Sequence, residues 1–370
     1  MARQMKNIYH LLLPLALLLA FHAGAQQGAM IDDGPYVRYA GNQILVSFME
    51  QDDDLLMPNT VVYNGLLTVV PEGHPDWAFS VKLRDSLPND PAEYSAFSKS
   101  FFVSDIEGEF ANFRKLLLAA KVIDEQYNWT YGNNSLIIPG DLFDRGKDIV
   151  PELWLLYKLE EEAKAQGGSV QVILGNHDIM NLSGDHRYTD GKYFKNAWLL
   201  KKNIDDLFGP DTELGRWLRS KNVIEKCGDV LVMHGGMSPA IRRQHLSLEQ
   251  LNAVCRPYDD PSHNPILFGR DALFWYRGYF MGTKVTMAEV DSTLKFYGCH
   301  WIVVGHTIVK WNIASYYGGK VIAVDVDEHT NHTKGALLEN GKWFIIDDRR
   351  NKAALVYDPK NDNVNEKDIL

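Results

Sequence analysis

Cysteine is scarce in this chain of 370 residues: three, at 227, 255 and 299. An odd count allows at most one intrachain disulfide, which excludes a cross-linked scaffold. The three also lack the paired spacing of a zinc site and read as small buried thiols. Basic residues are short as well, 38 Lys and Arg against 48 Asp and Glu, for a formal charge of −10. Binding led by phosphate-backbone electrostatics is thereby disfavoured, and no nucleic-acid partner is expected. An anionic substrate would need a local positive centre such as a metal ion. Long apolar runs are missing too: residues 11–21, broken by Pro14, reach only about half of the ~20 residues a spanning helix needs. No internal repeat or low-complexity tract is present. What remains is 45% hydrophobic and 23% charged, an ordinary globular composition with material for one large domain or two small ones.

The first residues read as an address. Arg3 and Lys6 precede the short apolar run, and Ala23-Gly24-Ala25 supplies a small–x–small cleavage pattern. Residues 1–25 are therefore expected to be a secretory signal peptide, leaving an exported protein, periplasmic or secreted, with no stable membrane anchor. Residues 26–100 carry β-rich pieces such as Tyr36-Val37-Arg38-Tyr39 and Ile44-Leu45-Val46-Ser47-Phe48, with a turn at Asn64-Gly65. They predict an N-terminal β-rich extension without catalytic residues of its own.

From residue 101 short apolar strands alternate with helical stretches, the grammar of an α/β domain over 101–350, followed by a tail at 351–370. Five strands end in polar clusters. They are Asp105-Ile106-Glu107-Gly108, Gly140-Asp141-Leu142-Phe143-Asp144-Arg145-Gly146, Gly175-Asn176-His177-Asp178, His234-Gly235-Gly236 and Gly305-His306-Thr307. Open α/β sheets present ligands at the C-terminal ends of their strands. Carboxylates, an Asn carbonyl and imidazoles together suit divalent metals such as Mn, Fe and Zn. One shared carboxylate can hold two ions ~3.5–4 Å apart, as in two-metal phosphoester hydrolases. Two ions would acidify and orient a bridging water, so no Ser or Cys nucleophile is required.

This ordered set resembles the calcineurin-like metallophosphoesterase superfamily. Asp141…Asp144-Arg145-Gly146, Gly175-Asn176-His177 and His234-Gly235-Gly236-Met237-Ser238-Pro239 are closest to its phosphoprotein-phosphatase side. Trp275-Tyr276-Arg277-Gly278-Tyr279 and Val303-Val304-Gly305-His306-Thr307 are similar to the Shewanella-like phosphatase branch. The resemblance implies a four-layer α/β/β/α sandwich and attack by a hydroxide bridging two metal ions. It implies that Asp105 and Asp141 bind the first ion, and that Asp141, Asn176, His234 and His306 bind the second. His177 would be the general acid or a transition-state stabiliser, Asp178 its orienting partner, and Arg145 and Arg277 the holders of phosphate oxygens. Trp198, Trp275 and Tyr276 are candidate walls of the cleft.

The chain departs from the superfamily pattern at three places. Glu107 stands where a histidine ligand is usual; as a hard anionic ligand it would favour Mn²⁺ or Mg²⁺ over Zn²⁺, and the rival reading makes it a non-ligand. Asp178 replaces a common Glu. Ile308 stands where many diesterases have a further His, which leans toward monoesters. The expected protein is an exported phosphomonoesterase with two divalent ions (Mn foremost; Fe, Zn or Mg otherwise). Its substrate would be a phosphoprotein or a phosphorylated small molecule. The competing readings are a catalytically silent metal-binding protein and a phosphodiesterase or nucleotidase of the same superfamily.

Overall fold

A computed structural model describes residues 30–369, apart from 53–54, 257, 259–263, 265, 267, 328 and 330–331. The expected signal peptide lies outside the described residues. The chain opens with three strands, β1 (Met30–Ala40), β2 (Gln43–Asp52) and β3 (Leu55–Val62), which form an antiparallel sheet in that order. A small pair follows, β4 (Leu67–Val69) with β5 (Phe79–Val81), and then a two-residue strand, β6 (Glu93–Tyr94).

The α/β alternation begins with β7 (Lys99–Phe102), α1 (Phe110–Ala119), β8 (Ser135–Ile138), α2 (Ile149–Ala165) and β9 (Ser169–Val172). It continues through α3 (Asn176–Leu182), α4 (Gly191–Leu199), α5 (Glu213–Arg219), β10 (Ile224–Cys227) and β11 (Val230–Met233). Three more helices, α6 (Pro239–Arg242), α7 (Leu248–Cys255) and α8 (Met287–Tyr297), precede β12 (Trp301–Val304). The last strands are β13 (Ala314–Tyr316), β14 (Val321–Ala323), β15 (Lys334–Glu339), β16 (Lys342–Asp347) and β17 (Lys352–Ala354). None of the helices in the described residues is long and apolar enough to cross a membrane.

Two mixed six-stranded sheets result. One runs β17-β16-β15-β7-β8-β9 and the other β13-β14-β12-β11-β10-β6. Their facing sides share one apolar layer: Phe102 and Ile137 from the first meet Val230, Val232, Val303 and Ile322 from the second. The alternate residues, such as Phe101, Leu136, Ile138, Leu231 and Val304, turn outward into the core beneath the helices. Strands buried on both faces need apolar residues at successive positions, which is why β8 from Leu136 onward and the whole of β11 read as apolar runs. The architecture is the expected sandwich of two sheets with helices outside.

The flanking segments are built into this body. β6 adds a parallel edge strand beside β10, and β17 extends the first sheet beside β16. The Val309–Ile369 bridge ties down the last turns. Helix α2 is sandwiched between β9 and β1, so Leu153, Trp154, Leu155, Leu156 and Tyr157 are all buried rather than one stripe of them. Trp154 Nε1 donates to the carbonyl of Pro35 at 2.8 Å, satisfying the only polar atom of that side chain.

Candidate active site

Five strand ends converge at one edge of the two sheets, and the turns that leave them are conformationally unusual. Asp105, Glu107, Asp141, Asp144, Arg145 and His306 all have positive φ, between 48° and 79°. Non-glycine residues held there cost on the order of 1–3 kcal/mol each, so the strain is concentrated where side chains must point inward. Two glycines show how close the turns approach. A Cβ on Gly175 would lie 2.1 Å from Asp141 Oδ1, and one on Gly140 (φ +101°) would lie 2.6 Å from the Gly175 nitrogen. Only glycine lets these turns touch.

Around this edge the side chains group by element. Asp105 follows β7, and its carboxylate accepts the His306 amide at 3.1 and 3.2 Å. Asp141 follows β8; its Oδ1 accepts the His177 amide at 2.9 Å and its Oδ2 lies 2.9 Å from His234 Nε2. Asn176 follows β9 and turns its Oδ1 to the same His234 nitrogen at 3.0 Å. His234 follows β11, with Nδ1 donating to the Pro139 carbonyl at 2.7 Å. His306 follows β12, with its ring 5.0 Å from that of His234. Ligand atoms of Asp141, His234 and His306 all lie within 4.8 Å of one another, as do those of Glu107, Asp141 and His177.

These residues fit a divalent cation. The Nδ1–H of His234 is committed to a backbone carbonyl, which leaves Nε2 as the coordinating nitrogen. A carboxylate oxygen of Asp141 and the amide oxygen of Asn176 both lie within hydrogen-bond distance of that nitrogen. Three acceptors facing one point require a proton or a cation between them. Burial disfavours charge on His234, but Asp141 and Asp105 outweigh it and push the imidazole up to about 9. His306, by contrast, is driven well below its ordinary value by burial and by His234 and Arg277. Its Nε2 is buried without a hydrogen-bond partner, in the neutral form that binds metals. Burial alone would raise the Asp141 carboxyl, yet His234 and His177 hold it far below the usual carboxylate range.

Glu107 enters the same cluster and is engaged on both sides. It forms an ion pair with Arg145, and its Oε2 lies 2.7 Å from Nε2 of His329, whose other nitrogen is 3.0 Å from Glu109. Arg145 is exposed, with its amide donating to the Tyr188 carbonyl at 3.1 Å. Arg277 donates to Thr307 Oγ1 at 3.3 Å; burial lowers its pKa while Asp105, Asp325 and Asp141 act against that. His177 points Nε2 toward Glu107 Oε1, 3.9 Å away. Burial opposes its charge, but Asp141 and Asp144 prevail and raise the imidazole above its ordinary value.

One expected role moves to another residue. Asp178 does not orient His177. Its two oxygens accept four backbone amides, those of Asp141, Leu142, Phe143 and Gly175, at 2.7–3.2 Å. Adjacent residues at the start of a helix cannot turn both side chains the same way, so Asp178 faces the two turns below the site. The carboxylate on His177 Nδ1 is Asp144, at 2.6 Å. Its place three residues after Asp141, in the same cluster, was the available signal. Asp325 is a second omission: it is buried, its carboxyl adjoins that of Asp105, and burial with Asp105 pushes it well above the carboxylate range. Strand β14 ends at Ala323, and Asp325 is buried just beyond it, as the other strand-end acids are. Trp275 and Tyr276 line a cleft of about 920 Å³ beside the site, whereas Trp198 is 75% exposed and takes no part in it.

Comparison with known proteins agrees with this geometry. The calcineurin-like phosphoesterase family model matches residues 99–310, more than half of the chain. An uncharacterised protein of Schizosaccharomyces pombe is 30% identical over 239 residues, 61% of this chain and 71% of that one. Shewanella-like protein phosphatase 1 of Plasmodium berghei is 27% identical over 270 residues, 69% of this chain and 73% of its own. The crystal structure of the cold-active protein-tyrosine phosphatase of a psychrophilic Shewanella superposes with a TM-score of 0.80 at 33% identity, covering 88% of this chain and 99% of that one. The chain belongs to the calcineurin-like phosphoesterase family and is a metal-dependent phosphoric ester hydrolase.

Proposed function

We propose that this chain is an exported phosphomonoesterase that acts on phosphoproteins, with the phosphotyrosyl side chain as its substrate class, and uses two divalent ions, manganese foremost. The observation that carries the chemistry is the convergence of His234 Nε2, Asp141 Oδ2 and Asn176 Oδ1 beside the unpartnered Nε2 of His306. Asp105, Asp141, Asn176, His234 and His306 would hold the ions, with Glu107 adding a sixth donor. When bound, the ions acidify and orient the attacking water and neutralise phosphoryl charge.

The remaining work falls to the chain itself. His177, with Nδ1 on Asp144, holds a proton at Nε2 for the leaving oxygen. Its raised pKa keeps that proton available near neutrality. Arg145, paired with Glu107, and Arg277, bonded to Thr307, suit non-bridging phosphoryl oxygens. Asp178 holds the two turns that carry Asp141 and Asn176. Tyr188, whose ring lies 5.2 Å from that of His177, walls the adjoining cleft with Trp275, Tyr276 and Phe268. An aromatic leaving group fits such walls better than an alkyl one. The structurally similar Shewanella enzyme is itself called a protein-tyrosine phosphatase. Export is supported by Arg3, Lys6, the apolar residues 11–21 and Ala23-Gly24-Ala25.

Phosphate release from phosphotyrosyl and phosphoseryl peptides, and from an aryl monoester and its diester, tests this reading in the presence of Mn²⁺ or chelator. Manganese-dependent monoester turnover favouring phosphotyrosine, and lost in Asp141→Asn, is expected. Diester preference would move the assignment to the phosphodiesterases, and no turnover with metal bound would make the chain a silent binder. Tight stoichiometric zinc in protein purified without added metal would overturn the manganese assignment. Recovery of the protein with residues 1–25 still attached would overturn export.

A further inference from the structure

The hydrogen bonds that hold Asp144 do not end at His177. Asp144 Oδ1 accepts from Asn181 Nδ2 at 2.8 Å and from Thr189 Oγ1 at 2.7 Å. The Asn181 amide also reaches the His177 carbonyl at 2.9 Å, so its two hydrogens are used. Its Oδ1 faces Thr189 Oγ1 at 3.0 Å and His186 Nδ1 at 3.1 Å. Thr189 has one proton, and the carboxylate is the nearer and stronger acceptor for it. His186 is then the donor that serves Asn181 Oδ1. The other His186 nitrogen lies 2.6 Å from Asp205 Oδ1. Both ring nitrogens thus face oxygens that only accept.

From this we infer that His186 is a positioning residue for the His177–Asp144 pair, acting through Asn181. The inference rests on the catalytic reading of His177. The physical reason lies in the symmetry of an amide. Asn181 can turn over, exchanging its nitrogen and oxygen, at little steric cost. Turned over, it would aim an oxygen at the Asp144 carboxylate, and the His177 partner would lose its support. A donor at His186 Nδ1 fixes the amide in the productive sense. Asp205, 63% exposed at its side chain, anchors the imidazole from the turn at Ile204–Leu207. Asp185, adjacent in the loop, is the other carboxylate that His186 acts on, and Asp185 is itself held by Arg187. The same loop between α3 and α4 carries Tyr188 against His177, so one short segment supports the dyad and walls the cleft.

Two conservative variants of the full chain separate this role from a merely structural one. His186→Asn keeps a donor at the Nδ1 position toward Asn181 and loses the link to Asp205. His186→Gln keeps a donor at the Nε2 position toward Asp205 and loses the one to Asn181. Hydrolysis of para-nitrophenyl phosphate with saturating Mn²⁺, metal content and thermal unfolding are measured for both, for Asp144→Asn, and for Asp144→Asn combined with His186→Gln. The Gln variant is expected to lose kcat by about 5- to 30-fold, the worth of one partly buried hydrogen bond, with metal content unchanged and KM within about twofold. The Asn variant keeps most of the rate, and in the Asp144→Asn background the Gln substitution adds nothing. Equal effects of Asn and Gln, an undiminished Gln effect without Asp144, or no Gln effect at all would each overturn the inference. If Asp144→Asn alone leaves kcat intact, the reading of His177 fails and this inference falls with it. Because Asn and Gln are compared with each other, a general loss of stability at position 186 lowers both and counts against the inference.

Discussion

Asp144 and Asp178 are both buried aspartates next to His177, and the structure gives them opposite consequences on removal of charge. In Asp178→Asn one carboxylate oxygen becomes an NH₂ group. Oδ1 takes the amides of Leu142 and Phe143, and Oδ2 those of Asp141 and Gly175. Either orientation of the new amide therefore leaves two buried N–H groups facing a donor. At about 1–3 kcal/mol for each unsatisfied buried donor, the variant should lose about 2–6 kcal/mol of stability. Asp144→Asn keeps one acceptor oxygen, for His177 or for the Asn181 and Thr189 donors, and removes the charge from the 2.6 Å contact with His177. A charge-assisted hydrogen bond is worth about 1.5–3 kcal/mol, which corresponds to about 10- to 150-fold in kcat. Differential scanning fluorimetry and aryl phosphate turnover on the two purified variants read these quantities side by side. The reasoning is refuted if Asp178→Asn unfolds at the wild-type temperature while losing more kcat than Asp144→Asn.

Three further perturbations test other parts of the structure. Gly175→Ala puts a methyl group 2.1 Å from Asp141 Oδ1, so stoichiometric metal binding, read by elemental analysis, should fall sharply while the fold persists by circular dichroism. Lys221 is 1% exposed and pairs with Glu160 at 2.6 Å and Asp90 at 2.9 Å; Lys221→Met should cost about 1.5–3 kcal/mol in urea unfolding, because Asp90 loses its partner while Glu160 keeps Arg84 and Trp217. Asp148 is pushed up to about 6 by burial, against the pull of Lys192. A carboxyl raised in the folded state contributes stability that is present below about pH 4 and lost as pH rises through about 6. Asp148→Asn should therefore gain on the wild type by about 1–3 kcal/mol between pH 4 and pH 7.5, and a gain that does not grow with pH would exclude this origin.

Much of the fold and the site was legible because both depend on local pattern. Apolar runs ending in a polar cluster mark buried strands with functional turns, and the turns of Asp105, Asp141, Asn176, His234 and His306 do meet at one edge. Segment ends were less legible. The extension supplies β6 to the second sheet and the tail supplies β17 to the first, since edge pairing depends on which backbone lies alongside and not on side-chain pattern. What packs on helix α2 was not legible either: it is covered on two sides, by β9 and β1, which lie in separate sheets.

The sequence by itself determined the donor chemistry, the order of the turns and the class of architecture, because residue type and hydrophobic period are properties of the chain. The tertiary structure alone decided which carboxylate serves which partner. Asp178 adjoins His177 in the chain, yet Asp144, 33 residues away, holds its imidazole. Asp325 and His329 likewise reach Asp105 and Glu107 from beyond residue 320. The direction of a side chain at a turn is set by backbone angles and by the elements packed against it, and neither is encoded in nearness along the sequence.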